Sequence, residues 1–379
     1  MKVLILSPFP PRRDAAHGGA RWVAGIVASL AGSHRVGLLT LRGTGEQGVD
    51  PQIAEVCELS IEIERKQARK SLVQIWRERQ RLTMTATGAP GWAVGFSVRA
   101  FAAELDRVVA EWQPDVVHIE SVVMAQYAQR LGALPVVVVD QDPAEGSPSM
   151  RRFRARILRR ADAVVAFTNR DRATLAALLP SARIERIPLA VNVPAVALDP
   201  VGNGRDVLFV GNFMHPPNVA AAKRLAGTIF PLIAAARPDA RLVLVGAGPP
   251  PSLQALASDK VTVTGRVTDL NAFLDAAAVV VAPVSSGGGM RVKALDALVS
   301  GKALVASSLA LEGLDVRAGE QVLAADDDAD FAEAVVALLD DEYRRAALGR
   351  SARAWAETHV EWRSVTAAYD ALYASVVAP

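Results

Sequence analysis

Short runs of β-branched residues alternate with longer helical stretches along this chain, and the alternation breaks once and then starts again. That rhythm calls for parallel α/β sheets rather than a helical bundle or an all-β fold. In the first half, Val3–Leu6, Val36–Thr40, Val116–Ile119, Val136–Asp140 and Val164–Phe167 read as strands. They are nearly continuous in apolar residues, as strands covered on both faces should be. The stretches 20–31, 98–112, 122–131, 151–160 and 170–178 read as helices between them. The segment Pro188–Arg205 is rich in proline and lacks periodicity, which marks a linker. Beyond it the spacing predicts strands at 207–210, 242–245, 261–263, 279–282, 303–306 and 321–323. Helices are expected at 218–236, 270–277 and 291–300, with a mostly helical end over 331–377. A length of 379 residues suits two such domains. In open sheets ligands bind beyond the carboxyl ends of the strands. The informative residues are therefore sought in the loops that follow strands, facing a cleft between the domains.

Composition removes several classes of function. Hydrophobic residues make up 51% and charged residues 22%, which excludes global disorder. Residues 1–200 hold 26 Lys and Arg against 20 Asp and Glu, and the remainder holds 16 against 20. A nucleic-acid binder would carry a strong basic surplus overall, so none is expected as a partner. Cys57 is the sole cysteine, which excludes an internal disulfide and a cysteine-based metal cluster. No His/Asp/Glu grouping has metal-ligand spacing, and no metal is expected. The first apolar run is too short for a signal peptide and no run reaches a membrane span, so the expected location is cytoplasmic. Two basic stretches, Arg65 to Arg81 and Arg151 to Arg160, allow a peripheral contact with anionic headgroups through the first domain. A solvated charged face is the competing reading and the favoured one.

The strongest chemical signal runs from Pro283 to Gly301. Gly287, Gly288, Gly289 and Met290 precede Arg291, Lys293 and Asp296, after a strand and at the opening of a helix. Leu295 and Val299 belong to its apolar stripe, and Gly301 is placed to end it. Cations in a first helical turn oppose the helix dipole. A bound diphosphate reverses that sign, because backbone N–H groups and both cations then point at one anion. Asp296 would accept bonds from sugar hydroxyls. The competing reading is a Lys293–Asp296 surface pair worth roughly 0.2–0.5 kcal/mol. In the first domain Gly18 and Gly19 open a helix directly after the first strand, where an anion is favoured; an ordinary strand-to-helix turn looks the same. Gly246-Ala247-Gly248 resembles the start of a dinucleotide fingerprint, but Pro251 stands at the third glycine position. Asp140-Gln141-Asp142 and Asp326-Asp327-Asp328 follow or precede regular elements; the second triplet reads as a helix-starting loop.

The order of these pieces resembles the retaining, family 4 glycosyltransferases of the GT-B type. The likeness is carried by the Gly18-Gly19 loop, Asp115-Val116-Val117-His118, Val210-Gly211-Asn212-Phe213-Met214-His215-Pro216-Pro217-Asn218, Val245-Gly246-Ala247-Gly248, Gly265-Arg266-Val267 and Gly287 to Asp296. It implies two Rossmann-like, doubly wound parallel-sheet domains facing across a cleft. They would comprise 1–190 for the acceptor and 191–361 for the nucleotide sugar, with 362–379 a helix crossing back to the first domain. It implies transfer of a sugar from a nucleoside diphosphate to an acceptor hydroxyl, with retention and without a metal. No resident cofactor is implied, and the acceptor is a carbohydrate, a lipid-linked glycan or a small molecule.

On the same resemblance, His118, Glu120, Arg291 and Lys293 are the catalytic candidates. Gly18, Gly19, Gly211, His215, Asn218, Gly246, Arg266, Val267, Gly287, Gly288, Gly289, Met290 and Asp296 are the donor-binding candidates, with Arg291 and Lys293 again. Two departures matter. Glu120 stands where many members have a histidine, and Gly288 lies on or next to a position usually acidic. They motivate a second reading, a catalytically silent GT-B partner or regulatory subunit. A sugar-nucleotide epimerase is a third.

Overall fold

The computed structural model describes residues 1–15, 18–65, 93, 95–141, 148–286 and 292–378. They divide into two compact units, Met1–Ala190 with Trp362–Pro379, and Val191–Glu361.

Among the described residues the first unit holds a seven-stranded sheet. Its strands are β1 (Lys2–Ser7), β2 (Arg35–Gly43), β3 (Leu59–Arg65), β4 (Val116–Glu120), β5 (Val136–Val139), β6 (Ala163–Ala166) and β7 (Ile184–Arg186), in the order β3-β2-β1-β4-β5-β6-β7. All neighbours are parallel, with Ile5 paired to Leu38 on one side and to His118 on the other. The helices are α1 (Gly18–Leu30), α2 (Pro51–Glu55), α3 (Arg99–Trp112), α4 (Pro148–Leu158) and α5 (Asn169–Leu178). Strand β3 was not foreseen. Its sequence Leu-Ser-Ile-Glu-Ile-Glu-Arg alternates half-buried and exposed residues, the signature of an edge strand with one wet face. The helix expected at 122–131 is a 3-10 helix, Met124–Arg130.

The second unit has β8 (Asp206–Val210), β9 (Arg241–Val245), β10 (Val261–Val263), β11 (Val279–Ala282), β12 (Leu304–Ala306) and β13 (Leu323–Ala324), ordered β10-β9-β8-β11-β12-β13. Around it lie α6 (Pro216–Arg224), α7 (Phe230–Ala236), α8 (Pro251–Gln254), α9 (Asn271–Ala276), α10 (Val292–Val299), α11 (Asp328–Asp340) and α12 (Glu342–His359). The helix expected as one piece over 218–236 passes through a π-helical stretch, Leu225–Ile229, before α7. Pro231 explains the break, since it has no N–H to return to an earlier carbonyl. Pro216–Ala236 is long and apolar enough to cross a membrane by length and composition, with a mean hydropathy of 1.4. Ala221, Ala222, Leu225, Ile229, Phe230 and Ile233 are nevertheless buried in the second domain, as in a core helix.

Gly301, at φ +73°, ends α10. Its N–H bonds to Leu298 O and the Lys302 N–H to Ala297 O, the double closure of a Schellman motif. The last helix, α13 (Trp362–Val377), packs on α1 of the first unit. A Cβ on Gly25 would lie 1.9 Å from the Trp362 ring, so α1 and α13 approach too closely for any side chain there. Trp22 stacks on Trp362 at 5.2 Å, Ser29 bonds to Thr366, and His34 Nε2 meets Asp370 Oδ1 at 2.7 Å.

Candidate functional site

In the second domain β8 lies between β9 and β11, so the strand order reverses there. The loops after β8 and β11 flank this switch point, where open α/β sheets bind ligands. Gly287, Gly288, Gly289, Met290 and Arg291 belong to the second loop and lie outside the described residues. Both flanks are described. Before them, Arg224 donates to Pro283 O at 3.3 Å and Ser307 Oγ to Val284 O at 2.6 Å. Arg224 is itself held by Asp328 at 2.6 Å. After them, α10 buries Ala294, Leu295, Ala297 and Leu298 and leaves Lys293 and Asp296 half-buried. Among the described residues no group of three His, Cys, Asp or Glu side chains is arranged to hold a metal ion.

The loops after β8, β9 and β10 are laced by main chain. Gly211 N–H bonds to Val245 O at 2.9 Å, Phe213 N–H to Ala247 O at 2.9 Å, and Gly246 N–H to Gly265 O at 3.1 Å. Gly246 permits this: a Cβ there would sit 1.7 Å from Gly211 O. The fingerprint-like glycine is thus spent on loop packing. Asn218 Nδ2 donates to Asn212 O at 2.8 Å, so its amide holds the loop. His215 is exposed at the N-cap of α6, Arg266 is exposed and Val267 is half-buried. Sequence reasoning passed over Met214 as a site residue. It is 72% exposed beside the buried Phe213, and its Cγ lies 2.7 Å from where a Gly248 Cβ would be.

The side chains of His118 and Glu120 are completely buried within the first domain. Glu120 Oε1 accepts from Trp22 Nε1 at 2.9 Å and meets His118 Nε2 at 2.9 Å, while Oε2 accepts from Gln141 Nε2 at 2.9 Å. His118 Nδ1 lies 2.5 Å from the Tyr373 hydroxyl. His118 thus bridges the Glu120 carboxylate and the Tyr373 hydroxyl through its two ring nitrogens. Burial, and then the charge of Glu120, push the Tyr373 hydroxyl well above the usual phenol range, which keeps its proton in place. The polar atoms of this pair join β4 to α1, to α13 and to the segment after β5.

Gly18 and Gly19 open α1, and the place of a Gly18 Cβ is open space. The loop before them is braced: Arg12 forks onto Asp14 with two 2.8 Å bonds, and Arg13 meets Asp50 at 3.2 Å. Of the two acidic triplets, Asp140 is buried and pairs with Arg154 at 2.7 Å. Asp327 caps α11, while Asp328 pairs with Arg224. In the basic stretch at 151–160, Phe153, Ile157 and Leu158 lie in the core, and the exposed members are Arg151, Arg152, Arg156 and Arg159. Residues 66–81 of the other basic stretch lie outside the described residues. Burial pushes the Cys57 thiol up to about 12, so it is a poor nucleophile at neutral pH.

Comparison with known proteins matches both domains. Residues 16–193 match the family described as Glycosyltransferase Family 4, and residues 204–341 match Glycosyl transferases group 1. A GDP-mannose-dependent monoacylated alpha-(1-6)-phosphatidylinositol monomannoside mannosyltransferase of Corynebacterium glutamicum is 36% identical over 147 residues, covering 35% of this chain and 38% of the relative. An uncharacterized 44.6 kDa protein in the cps region of Klebsiella pneumoniae is 26% identical over 140 residues, 35% of this chain and 36% of that one. The chain thus spans little more than a third of the length of these curated relatives. Among solved structures, sucrose-phosphate synthase of Thermosynechococcus elongatus superposes with a TM-score of 0.74 over 100% of both chains at 17% identity. Anabaena HepE in complex with UDP does so with a TM-score of 0.69, over 99% of this chain and 100% of that one, at 15% identity. The fold is GT-B, with two Rossmann-like domains.

Proposed function

From a GT-B chain whose first domain carries a family 4 glycosyltransferase segment and whose second carries a group 1 segment, we propose a transferase that moves a sugar from a nucleoside diphosphate to an acceptor hydroxyl. The observation that carries the reading is the switch point of the second domain, where laced glycine loops, a braced start to the post-β11 loop and α10 with Lys293 and Asp296 meet in the sequence region of the triple glycine and Arg291. The donor is assigned to this domain and the acceptor to the first. Anabaena HepE was crystallised with UDP and with UDP-glucose, which supports a nucleotide sugar as the ligand class.

Chemically, the leaving group is a nucleoside diphosphate. Arg291, Lys293 and the N–H groups of 287–289 would stabilise the charge that develops on it, and no metal is needed for that. Asp296 would hold sugar hydroxyls. Retention of anomeric configuration is part of the proposal, and NMR of the first-formed product decides it.

A thermal-shift screen with UDP, GDP, ADP, CMP, dTDP and NAD tests the reading. A ligand at 100 times its dissociation constant adds about 2.7 kcal/mol. One nucleoside diphosphate is expected to stabilise the chain and NAD is not. Arg291→Ala and Lys293→Ala should each weaken that nucleotide by about tenfold or more in calorimetry, the loss of a charge-assisted bond. Unchanged affinity in both would remove the diphosphate site.

The burial of His118 and Glu120 favours keeping a second reading, a catalytically silent partner of the same fold. It expects nucleotide binding with neither donor hydrolysis nor transfer across a broad acceptor panel.

A further inference from the structure

Three cationic side chains of the second domain converge on one irregular segment, 194–201. Arg353 donates to Pro194 O and, at 2.5 Å, to Val299 O. Lys302, fully buried, donates to Asp199 O and, at 3.1 Å, to Asp275 O. Arg345, also buried, donates to Val201 O at 3.1 Å and to Leu338 O and Leu339 O at 2.6 and 2.9 Å. Each cation therefore ties a carbonyl of the segment to a carbonyl at the end of a helix: α10 for Arg353, α9 for Lys302, α11 for Arg345. Helix ends leave such carbonyls unpaired and carry negative dipole charge, so a cation satisfies both demands.

Lys302 is the costly member. Burial drives its ammonium down to about 8, against the pull of Asp199 and Asp275 and with repulsion from Arg345. A well-packed apolar side chain is often the more stable choice at such a place. What the lysine secures is the far end of α10. It directly follows Gly301 in the turn that closes the helix, and Leu198 N–H bonds to Ser300 O at 3.0 Å beside it. The turn has no slack on its other side, where a Cβ on Gly349 would lie 2.1 Å from Gly301 O. The opposite end of the same helix leads out of the glycine-rich turn and carries Lys293, about 13 Å away at 1.5 Å per residue.

We propose that Lys302 is a positioning residue for the nucleotide: by bolting the closed end of α10 to Asp199 and Asp275, it fixes where Lys293 and Asp296 stand at the other. This rests on the donor site proposed above. It differs from a general stabilising role because Arg345 belongs to the same clamp but grips α11, which carries no donor residue.

The experiment compares wild type, Lys302→Met, Lys302→Gln and Arg345→Lys as full-length chains. Affinity is measured calorimetrically for the tightest binder among UDP, GDP, ADP and dTDP, and amide hydrogen exchange is followed over residues 292–299. Lys302→Met should weaken the nucleotide by roughly tenfold, one hydrogen bond's worth, and speed exchange across α10. Lys302→Gln, which keeps a donor, should recover part of both and serves if the methionine variant does not fold. Arg345→Lys should lower the melting temperature while leaving affinity and α10 exchange at wild-type values. Unchanged affinity and exchange in both Lys302 variants, or an equal loss of affinity in Arg345→Lys, overturns the proposal. A wild type that binds none of the four nucleotides strikes the donor site instead, and α10 exchange then still decides whether Lys302 holds that helix.

Discussion

Replacing Glu120 with alanine is expected to destabilise the first domain by about 3 kcal/mol or more, because each buried polar group left without its partner costs about 1–3 kcal/mol. The carboxylate meets Trp22, His118 and Gln141 together, the first two buried and the third half-buried, so its loss strands all three. The damage spreads to α13, because the His118 ring that Glu120 orients is the one that meets Tyr373. Urea unfolding of the full chain, followed by tryptophan fluorescence, reads the effect, since Trp355 is the one of the six tryptophans that belongs to the second domain. Glu120→Gln keeps one acceptor oxygen and should cost less, about 1–2 kcal/mol. A Glu120→Ala protein that unfolds like wild type but has lost transfer would return this residue to the reaction itself.

Gly246→Ala should be the most damaging single change at the donor loops. The new Cβ would fall 1.7 Å from Gly211 O, a main-chain atom that no side-chain rotation can move aside. The backbone there is at φ +157°, a region side chains rarely occupy. The β8 and β9 loops must part, and the Gly211–Val245, Phe213–Ala247 and Gly246–Gly265 bonds go with them. A loss of about 3 kcal/mol or more is expected. At 2–4 °C per kcal/mol that lowers the melting temperature by roughly 6–12 °C. Stabilisation by the nucleoside diphosphate should vanish as well. Gly265→Ala is the control. Its φ of +75° is strained for alanine, but a Cβ there meets nothing within 4 Å, so about 1–2 kcal/mol is expected and the nucleotide response should survive. Equal effects from the two variants would show that collision with Gly211 is not what the glycine avoids.

The strands and helix ends of the second domain were legible because they obey local rules. Runs such as Val207–Val210 and Val279–Ala282 announce covered strands, and Gly301 announces a helix end; each is a statement about neighbours in sequence. The edge strand β3 escaped a search for continuous apolar runs because only one of its faces is covered. The π-helical passage before Pro231 escaped because periodicity alone counts it as helix. The surroundings of His118 and Glu120 were hidden for a different reason. A polar pair at a strand end reads as a site when its partners are out of view, and here those partners lie 98 residues away at Trp22 and 255 at Tyr373.

What the sequence determined by itself was the layered α/β architecture, the division into two domains and the segment where charge and glycine concentrate. Those follow from periodicity and dipole sign, which are written over a few neighbouring residues. The fate of each buried polar group was decided only in three dimensions. Whether Glu120, Asp140 or Lys302 serves a ligand or the fold depends on which donors and carbonyls reach it, and distant turns of chain bring those there. Water is excluded from such places, so the final partner sets the energy, and no local pattern encodes who that partner is.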